Sequence, residues 1–151
     1  MQLLFWRHAE AEDGVPDLER KLTTRGHKQA EAVATWLRPR LPKGCLILVS
    51  PAQRARQTVA ALKTLDFEID PRIAPGAAVD AVLGAIGFTG ERRQARAVML
   101  VGHQPWIGQT IAHLMTGHAE YWGVRKAGLW WLDDDDSGRW TLRTVVDRDL
   151  L

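Results

Sequence analysis

The chain has 151 residues, of which 46% are hydrophobic and 25% are charged, and its formal net charge is +2 at pH 7. This composition excludes a disordered chain, and the length predicts one domain over residues 1–151. The small charge excess is no reason to expect a nucleic-acid partner. No apolar run approaches the roughly 18 residues of a membrane span. The single cysteine, Cys45, excludes an internal disulfide, so we expect a soluble, cytoplasmic protein with no membrane partner.

The N-terminal part of the chain alternates strand-like and helix-like segments. The apolar run Leu3–Trp6 predicts a short buried strand, and the polar segment 11–22 predicts a loop. Thr23 or Thr24 is expected to cap a helix that continues to about Arg38, because apolar side chains then recur at helical spacing.

The rest of the chain continues this alternation. The run Cys45–Val49 predicts a second buried strand, and Ser50 and Pro51 are expected to start a helix as its N-cap and first residue. The acidic segment Asp133–Gly138 predicts a hairpin turn. The remaining predicted elements are an edge strand, a helix, a strand, a helix and two hairpin strands, at Phe67–Ile69, Val79–Ile86, Ala97–Val101, Trp106–Met115, Leu129–Leu132 and Trp140–Val146.

Polar residues follow three of the predicted strands. Arg7 and His8 end the first, Ser50 ends the second with Arg54 one helical turn later, and His103 ends the third. The alternation predicts an α/β sandwich with a mainly parallel sheet, in which ligands bind at the carboxyl ends of strands. If these strands are neighbours, two guanidinium and two imidazole groups meet at one edge of the sheet. A phosphoryl group suits such a cationic cluster.

Four segments carry a resemblance to a known family, namely Arg7–Ala11, Arg20–Gly26, Ser50–Thr58 and Gly102–Pro105. The chain resembles the histidine phosphatase superfamily, and within it the compact SixA-like phosphohistidine phosphatases. The resemblance implies a phosphoglycerate mutase-like fold, which is a three-layer α/β/α sandwich with a mixed sheet. It also implies an enzyme that requires no metal or other cofactor.

The resemblance implies a role for each motif residue. His8 is the expected nucleophile, which carries the phosphoryl group on a ring nitrogen until water hydrolyses it. Arg7 and Arg54 are expected to bind the phosphoryl oxygens, His103 to complete the pocket, and Arg20 to belong to it as in SixA-like members.

A nucleophilic histidine must be unprotonated at the attacking nitrogen. The charges of Arg7 and Arg54 are expected to lower the pKa of His8, and a backbone carbonyl is expected to hold its other ring nitrogen. Ala9 stands where the superfamily usually has glycine. The alanine is expected to be tolerated unless the backbone there needs a positive φ.

The proton donor is the open question of this sequence. Many superfamily members that act on phosphoesters carry a glutamate after the second helix, whereas the segment 72–90 of this chain contains only Asp80. Phosphohistidine needs less acid catalysis than a phosphoester, because its imidazole is protonated near neutral pH and leaves readily. Asp80 or Glu10 remains a candidate donor.

These considerations favour a phosphatase for phosphohistidine on a protein, such as a phosphotransfer domain or carrier. Two alternatives stay open. One is a phosphomonoesterase for a small phosphorylated metabolite, with Asp80 or Glu10 as its acid. The other is a phosphate-binding interaction module without turnover, although pure binding needs arginines and no nucleophile.

Overall fold

The computed structural model describes residues 1–64, 66–87 and 95–151. Its strands are β1 to β6 in chain order, at Gln2–Arg7, Leu46–Val49, Glu68–Ile69, Ala97–Gly102, Leu129–Asp134 and Trp140–Val146. Its α-helices within these ranges are α1 to α4, at Thr24–Leu37, Gln53–Ala60, Val79–Ile86 and Trp106–Thr116. None of the helices in the described segments is long and apolar enough to cross a membrane.

The six strands form one mixed sheet in the order β3-β2-β4-β1-β5-β6. Strands β1 to β4 pair in parallel, and β5 pairs antiparallel with both β1 and β6. Side chains of a strand alternate between the two faces of a sheet. Leu4 and Trp6 therefore pack in a core with α1 and α2, while Leu3 and Phe5 pack in a second core with α3 and α4. The predicted three-layer α/β/α sandwich is confirmed.

Helix α1 forms for the reasons that the sequence indicates. The Thr23 hydroxyl accepts a hydrogen bond from the Gly26 amide at 2.9 Å, which caps the N-terminus. Its buried apolar residues recur at helical spacing, namely Ala30, Val33, Ala34 and Leu37. The predicted cap and range are confirmed to within one residue.

Two predicted boundaries are wrong. Helix α2 begins at Gln53 with Ala52 as its N-cap, so Ser50 and Pro51 precede the helix. Ser50 is fully buried, and its hydroxyl accepts a hydrogen bond from the Ala52 amide at 3.2 Å in a short turn before the helix. The same hydroxyl lies 2.6 Å from His103 Nε2. The acidic turn is also shorter than predicted, since β5 continues through Asp134 and pairs with β6 there.

Gly108 allows α4 to lie against the segment that precedes β5. A Cβ atom at Gly108 would overlap the backbone carbonyl of Trp122. Gln104 joins the same two parts, donating to the Trp122 carbonyl at 2.7 Å and accepting the Gly108 amide at 2.7 Å. The glycine is required by close backbone approach.

We expect Gly108→Ala to lower the free energy of unfolding by about 3 kcal/mol, because the backbone must shift to accommodate the methyl group. Gly123→Ala is the matched control, because a Cβ atom there meets nothing within 4 Å. Urea unfolding of both variants measures the difference. Equal stability of the two variants would contradict this account of Gly108.

Candidate active site

The site lies where β1, β4 and β2 end side by side. Arg7 of β1 is in register with Gly102 of β4, so the residues that follow, His8 and His103, emerge at the same edge. The His8 amide donates to the Gly102 carbonyl at 2.9 Å, and the Ser50 amide donates to the Val101 carbonyl at 3.0 Å. The three strands that carry these residues are therefore parallel neighbours, as the predicted site assumed.

His8 is buried and its orientation is set by its own backbone. Its Nδ1 lies 2.7 Å from the Ala9 carbonyl oxygen. A carbonyl only accepts hydrogen bonds, so Nδ1 carries the hydrogen and Nε2 carries the lone pair. The Ala9 amide is in turn held by Thr58 Oγ1 at 3.0 Å. Ala9 has no positive φ, so the substitution for glycine is tolerated as predicted.

The pKa of His8 is lowered from 6.5 to about 4. Burial is the largest cause, because the charged ring loses its hydration. The charges of Arg54, Arg7 and Arg20 lower it further, against the opposing hydrogen bond to Ala9. The predicted lowering of the pKa of His8 by Arg7 and Arg54 is confirmed, and burial, which the sequence did not indicate, adds a larger effect in the same direction.

His103 lies beside His8, with 5.1 Å between the ring centroids. Its Nε2 is 2.6 Å from Ser50 Oγ. Ser50 Oγ also accepts the Ala52 amide at 3.2 Å, and its one hydrogen and its second lone pair suit either tautomer of the His103 ring. His103 Nδ1 is buried and has no hydrogen-bond partner in the described part of the chain. Burial lowers the pKa of His103 to about 2, and the repulsion between two protonated rings and the charge of Arg54 add to the effect.

Two arginines complete the buried part of the site. Arg7 Nη1 donates to the Val124 carbonyl at 2.7 Å. Arg54, in the first turn of α2, is 4% exposed and donates from Nη1 to the Asp17 carbonyl at 2.8 Å. The Nε of each arginine is buried without a partner among the described residues. Buried donors of this kind are costly unless something accepts their hydrogens.

Arg20 joins the site through a residue that the sequence did not single out. Asp17 Oδ1 accepts Arg20 Nη1 at 3.1 Å, and Asp17 Oδ2 accepts Arg54 Nη2 at 3.1 Å. Arg20 Nε is also held by the Glu12 carbonyl at 2.8 Å. Asp17 lies in the polar loop, where no spacing or periodicity distinguishes it from the neighbouring carboxylates.

The comparisons with known proteins agree with this arrangement. The family model of the histidine phosphatase superfamily (branch 1) matches residues 3–75, which include Arg7, His8, Arg20 and Arg54. The phosphohistidine phosphatase SixA of Escherichia coli is 30% identical over 78% of this chain and 76% of its own. The chain belongs to the histidine phosphatase superfamily.

A solved structure and one further relative extend the likeness of this histidine phosphatase to known proteins. A solved structure of the protein histidine phosphatase SixA complexed with tungstate has a TM-score of 0.81 and 26% identity, with 99% of both chains covered. An uncharacterised protein of Picosynechococcus is 36% identical over 85% of this chain and 82% of its own. The chain is thus a SixA-like phosphatase with the phosphoglycerate mutase-like fold.

The two candidate proton donors of this phosphatase make no hydrogen bond or ion pair with the buried cluster in the described part of the chain. Glu10 Oε1 accepts the Thr23 hydroxyl at 2.9 Å, at the start of α1. Asp80 is exposed in the first turn of α3. Within the described ranges, neither carboxylate has a hydrogen bond or ion pair with the two histidines or their arginines. Residues 88–90 of the segment searched for a donor lie outside the described residues.

The neutral histidines make the stability of this phosphatase depend on pH. The pKa of His8 is about 4 when folded against an ordinary 6.5, so between these values the unfolded chain binds the extra proton. Stability therefore falls as the pH is lowered through 6.5 towards 4. We expect His8 to lower the free energy of unfolding by about 2 kcal/mol between pH 7 and pH 5.

Urea unfolding at pH 7 and pH 5 measures this loss. His8→Gln removes the titrating group and is expected to reduce the pH dependence by the His8 share, whatever its effect at pH 7. The same pH dependence in both proteins would show that His8 is not held neutral by the fold.

Proposed function

We propose that this phosphatase hydrolyses phosphohistidine on a protein and that His8 carries the phosphoryl group between the two steps. The observation that supports this most strongly is the state of the site. His8 Nε2 carries a lone pair, its ring lies 5.1 Å from that of His103, and the charges of Arg7 and Arg54 act on it. Three buried nitrogens of these neighbours lack partners in the described chain, namely Arg7 Nε, Arg54 Nε and His103 Nδ1. A phosphoryl group offers three oxygens to such donors.

In the first step, the lone pair of His8 Nε2 attacks phosphorus and the bond from phosphorus to the substrate imidazole breaks. The leaving imidazole keeps the electron pair of that bond and departs with the proton that it already carries near neutral pH. His8 Nδ1 keeps its hydrogen throughout and donates it to the Ala9 carbonyl oxygen, so the phosphorylated ring is a cation next to an acceptor.

In the second step, water attacks phosphorus and the bond to His8 Nε2 breaks. The products are inorganic phosphate and His8 in its original tautomer. In the proposed reaction the Ser50 hydroxyl donates to His103 Nε2, so His103 Nδ1 carries the ring hydrogen. In both steps the charge on the equatorial oxygens is then stabilised by the guanidinium groups of Arg7 and Arg54 and by His103 Nδ1. These fixed charges supply the stabilisation that metal ions supply elsewhere, so the reaction is proposed to need no metal.

The surroundings of these donors support the proposed substrate class. An alcohol leaving group needs a strong acid close to the phosphoryl group. In the described part of the chain, the carboxylate that contacts the cluster is Asp17, which is ion-paired with Arg20 and Arg54 and so unsuited to donate a proton. A phosphoramidate on a histidine needs no such donor. The relative from Escherichia coli is likewise named a phosphohistidine phosphatase.

The proposed partner is a cytoplasmic phosphorylated protein, such as a phosphotransfer domain or a carrier. The experiment offers the purified phosphatase a phosphohistidine protein and a panel of sugar and nucleotide phosphates, with and without EDTA. We expect kcat/KM for the phosphohistidine protein to exceed that for the esters, and EDTA to leave it unchanged. Faster turnover of the esters would favour a metabolite phosphomonoesterase, and binding without turnover would favour an interaction module.

A further inference from the structure

Asp17 bridges two arginines at the opening of the proposed phosphoryl site. One carboxylate oxygen accepts from Arg20 and the other from Arg54, each at 3.1 Å. Two arginines bind a phosphoryl group in the same way, because two of its oxygens each accept hydrogen bonds from a different guanidinium group. The carboxylate thus uses the terminal nitrogens of Arg20 and Arg54 that an incoming oxyanion would need.

The burial of the partners shows from which side the carboxylate approaches. The side chain of Arg54 is 5% exposed, whereas that of Asp17 is 53% exposed. Asp17 is carried by a single 3-10 turn, Asp17–Glu19, none of whose residues is buried. The carboxylate therefore covers Arg54 from the solvent side and can leave without disturbing the core.

Electrostatics keep Asp17 an anion. Partial burial opposes its ionisation, but the hydrogen bonds from Arg20 and Arg54 outweigh that effect and hold the pKa of the carboxyl below its usual range. An ionised carboxylate and a phosphoryl group repel each other, so both cannot occupy the two guanidinium groups at once.

We propose that Asp17 is a displaceable counter-anion of the phosphoryl site. It neutralises Arg20 and Arg54 in the empty enzyme and releases them when the phosphoryl group of the substrate binds. The Asp17 carbonyl keeps its bond to Arg54 Nη1, so Arg54 remains oriented while the side chain moves. The carboxylate thereby weakens the binding of every oxyanion, the product phosphate included, and so promotes product release. This proposal rests on the function proposed above.

If Asp17 had only a structural role, removing its carboxylate would change the oxyanion affinity in the opposite direction. If its carboxylate only orients Arg20 and Arg54, its removal loosens both guanidinium groups and weakens oxyanion binding. If it competes with the oxyanion, its removal strengthens binding. Tungstate is a suitable probe, because it is a tetrahedral oxyanion that binds without being turned over.

The experiment is calorimetric titration of tungstate into the unchanged protein, Asp17→Asn and Asp17→Ala, with Glu19→Gln as the matched control. Glu19 lies in the same 3-10 turn and, among the described residues, forms no ion pair with Arg20 or Arg54, so Glu19→Gln removes the same charge without breaking such a pair. We expect both Asp17 variants to bind tungstate about tenfold more tightly, and Glu19→Gln to bind within twofold of the unchanged protein. The inhibition constant of inorganic phosphate is expected to fall by the same factor in the Asp17 variants alone.

The possible results of the titration distinguish the counter-anion role of Asp17 from the proposed function. Unchanged or weaker tungstate binding in both Asp17 variants would overturn the counter-anion role and leave the proposed function intact, provided that the unchanged protein binds tungstate. Failure of the unchanged protein to bind tungstate would overturn the proposed function and this role with it. An equal gain in Glu19→Gln would reduce the effect to the net charge of the loop and overturn the specific role of Asp17.

Discussion

His8→Ala is expected to lower kcat for phosphohistidine hydrolysis by about a thousandfold or more, because the variant has no group to accept the phosphoryl group. The proposed nucleophile also predicts a covalent intermediate. Brief reaction with a substrate labelled on phosphorus, followed by quenching, is expected to leave acid-labile label on the unchanged protein and none on His8→Ala.

His27→Ala serves as the control for this experiment. His27 is an exposed histidine on α1, so its replacement changes the histidine count without touching the site. It is expected to keep both the turnover and the label. Label retained by His8→Ala, or turnover within tenfold of the unchanged protein, would mean that another residue carries the phosphoryl group.

Arg54→Lys is expected to reduce kcat/KM by about a hundredfold although the positive charge is kept. The guanidinium of Arg54 donates to the Asp17 carbonyl and carboxylate and still holds a buried, unpartnered Nε towards which an oxyanion can be drawn. The single ammonium group of a lysine cannot donate to the Asp17 carbonyl, the Asp17 carboxylate and an oxyanion in the three directions of the Arg54 guanidinium. A loss greater in kcat than in affinity is expected, because the charge on the phosphoryl oxygens develops in the transition state.

Arg56→Lys is the matched control, because Arg56 is an exposed arginine two residues further along α2. Steady-state kinetics on the same phosphohistidine protein measures both variants, and Arg56→Lys is expected to behave as the unchanged protein. Full activity of Arg54→Lys would contradict a directional role for the guanidinium, since charge alone would then suffice.

The local sequence was sufficient to place the elements from which the site is built. Buried strands are short apolar runs, and the helix after Thr23 has a capping hydroxyl and an apolar stripe, so their positions depend on neighbours a few residues away. The motif residues Arg7 and His8 follow such a strand directly. Their location at the carboxyl edge therefore followed once the strands were taken to be parallel.

Contacts between distant parts of the chain could be identified only in the tertiary structure. Ser50 was expected to cap α2, but its hydroxyl lies against His103, 53 residues later in the chain. Asp17 reaches Arg54 across 37 residues. Neither pairing leaves a periodicity or a spacing in the sequence, because a polar side chain can form a hydrogen bond with any element that lies next to it in the folded protein.

The electrostatic character of the site was likewise divided between the two levels. The sequence indicated the cations, the two histidines and the direction in which the pKa of His8 moves. The size of that effect depends on burial, which exists only when β1, β4 and α2 close around the ring. Sequence therefore determined which groups take part, whereas the packed structure decided which of their nitrogens are free, because the loss of water and the choice of partner are properties of the assembled fold.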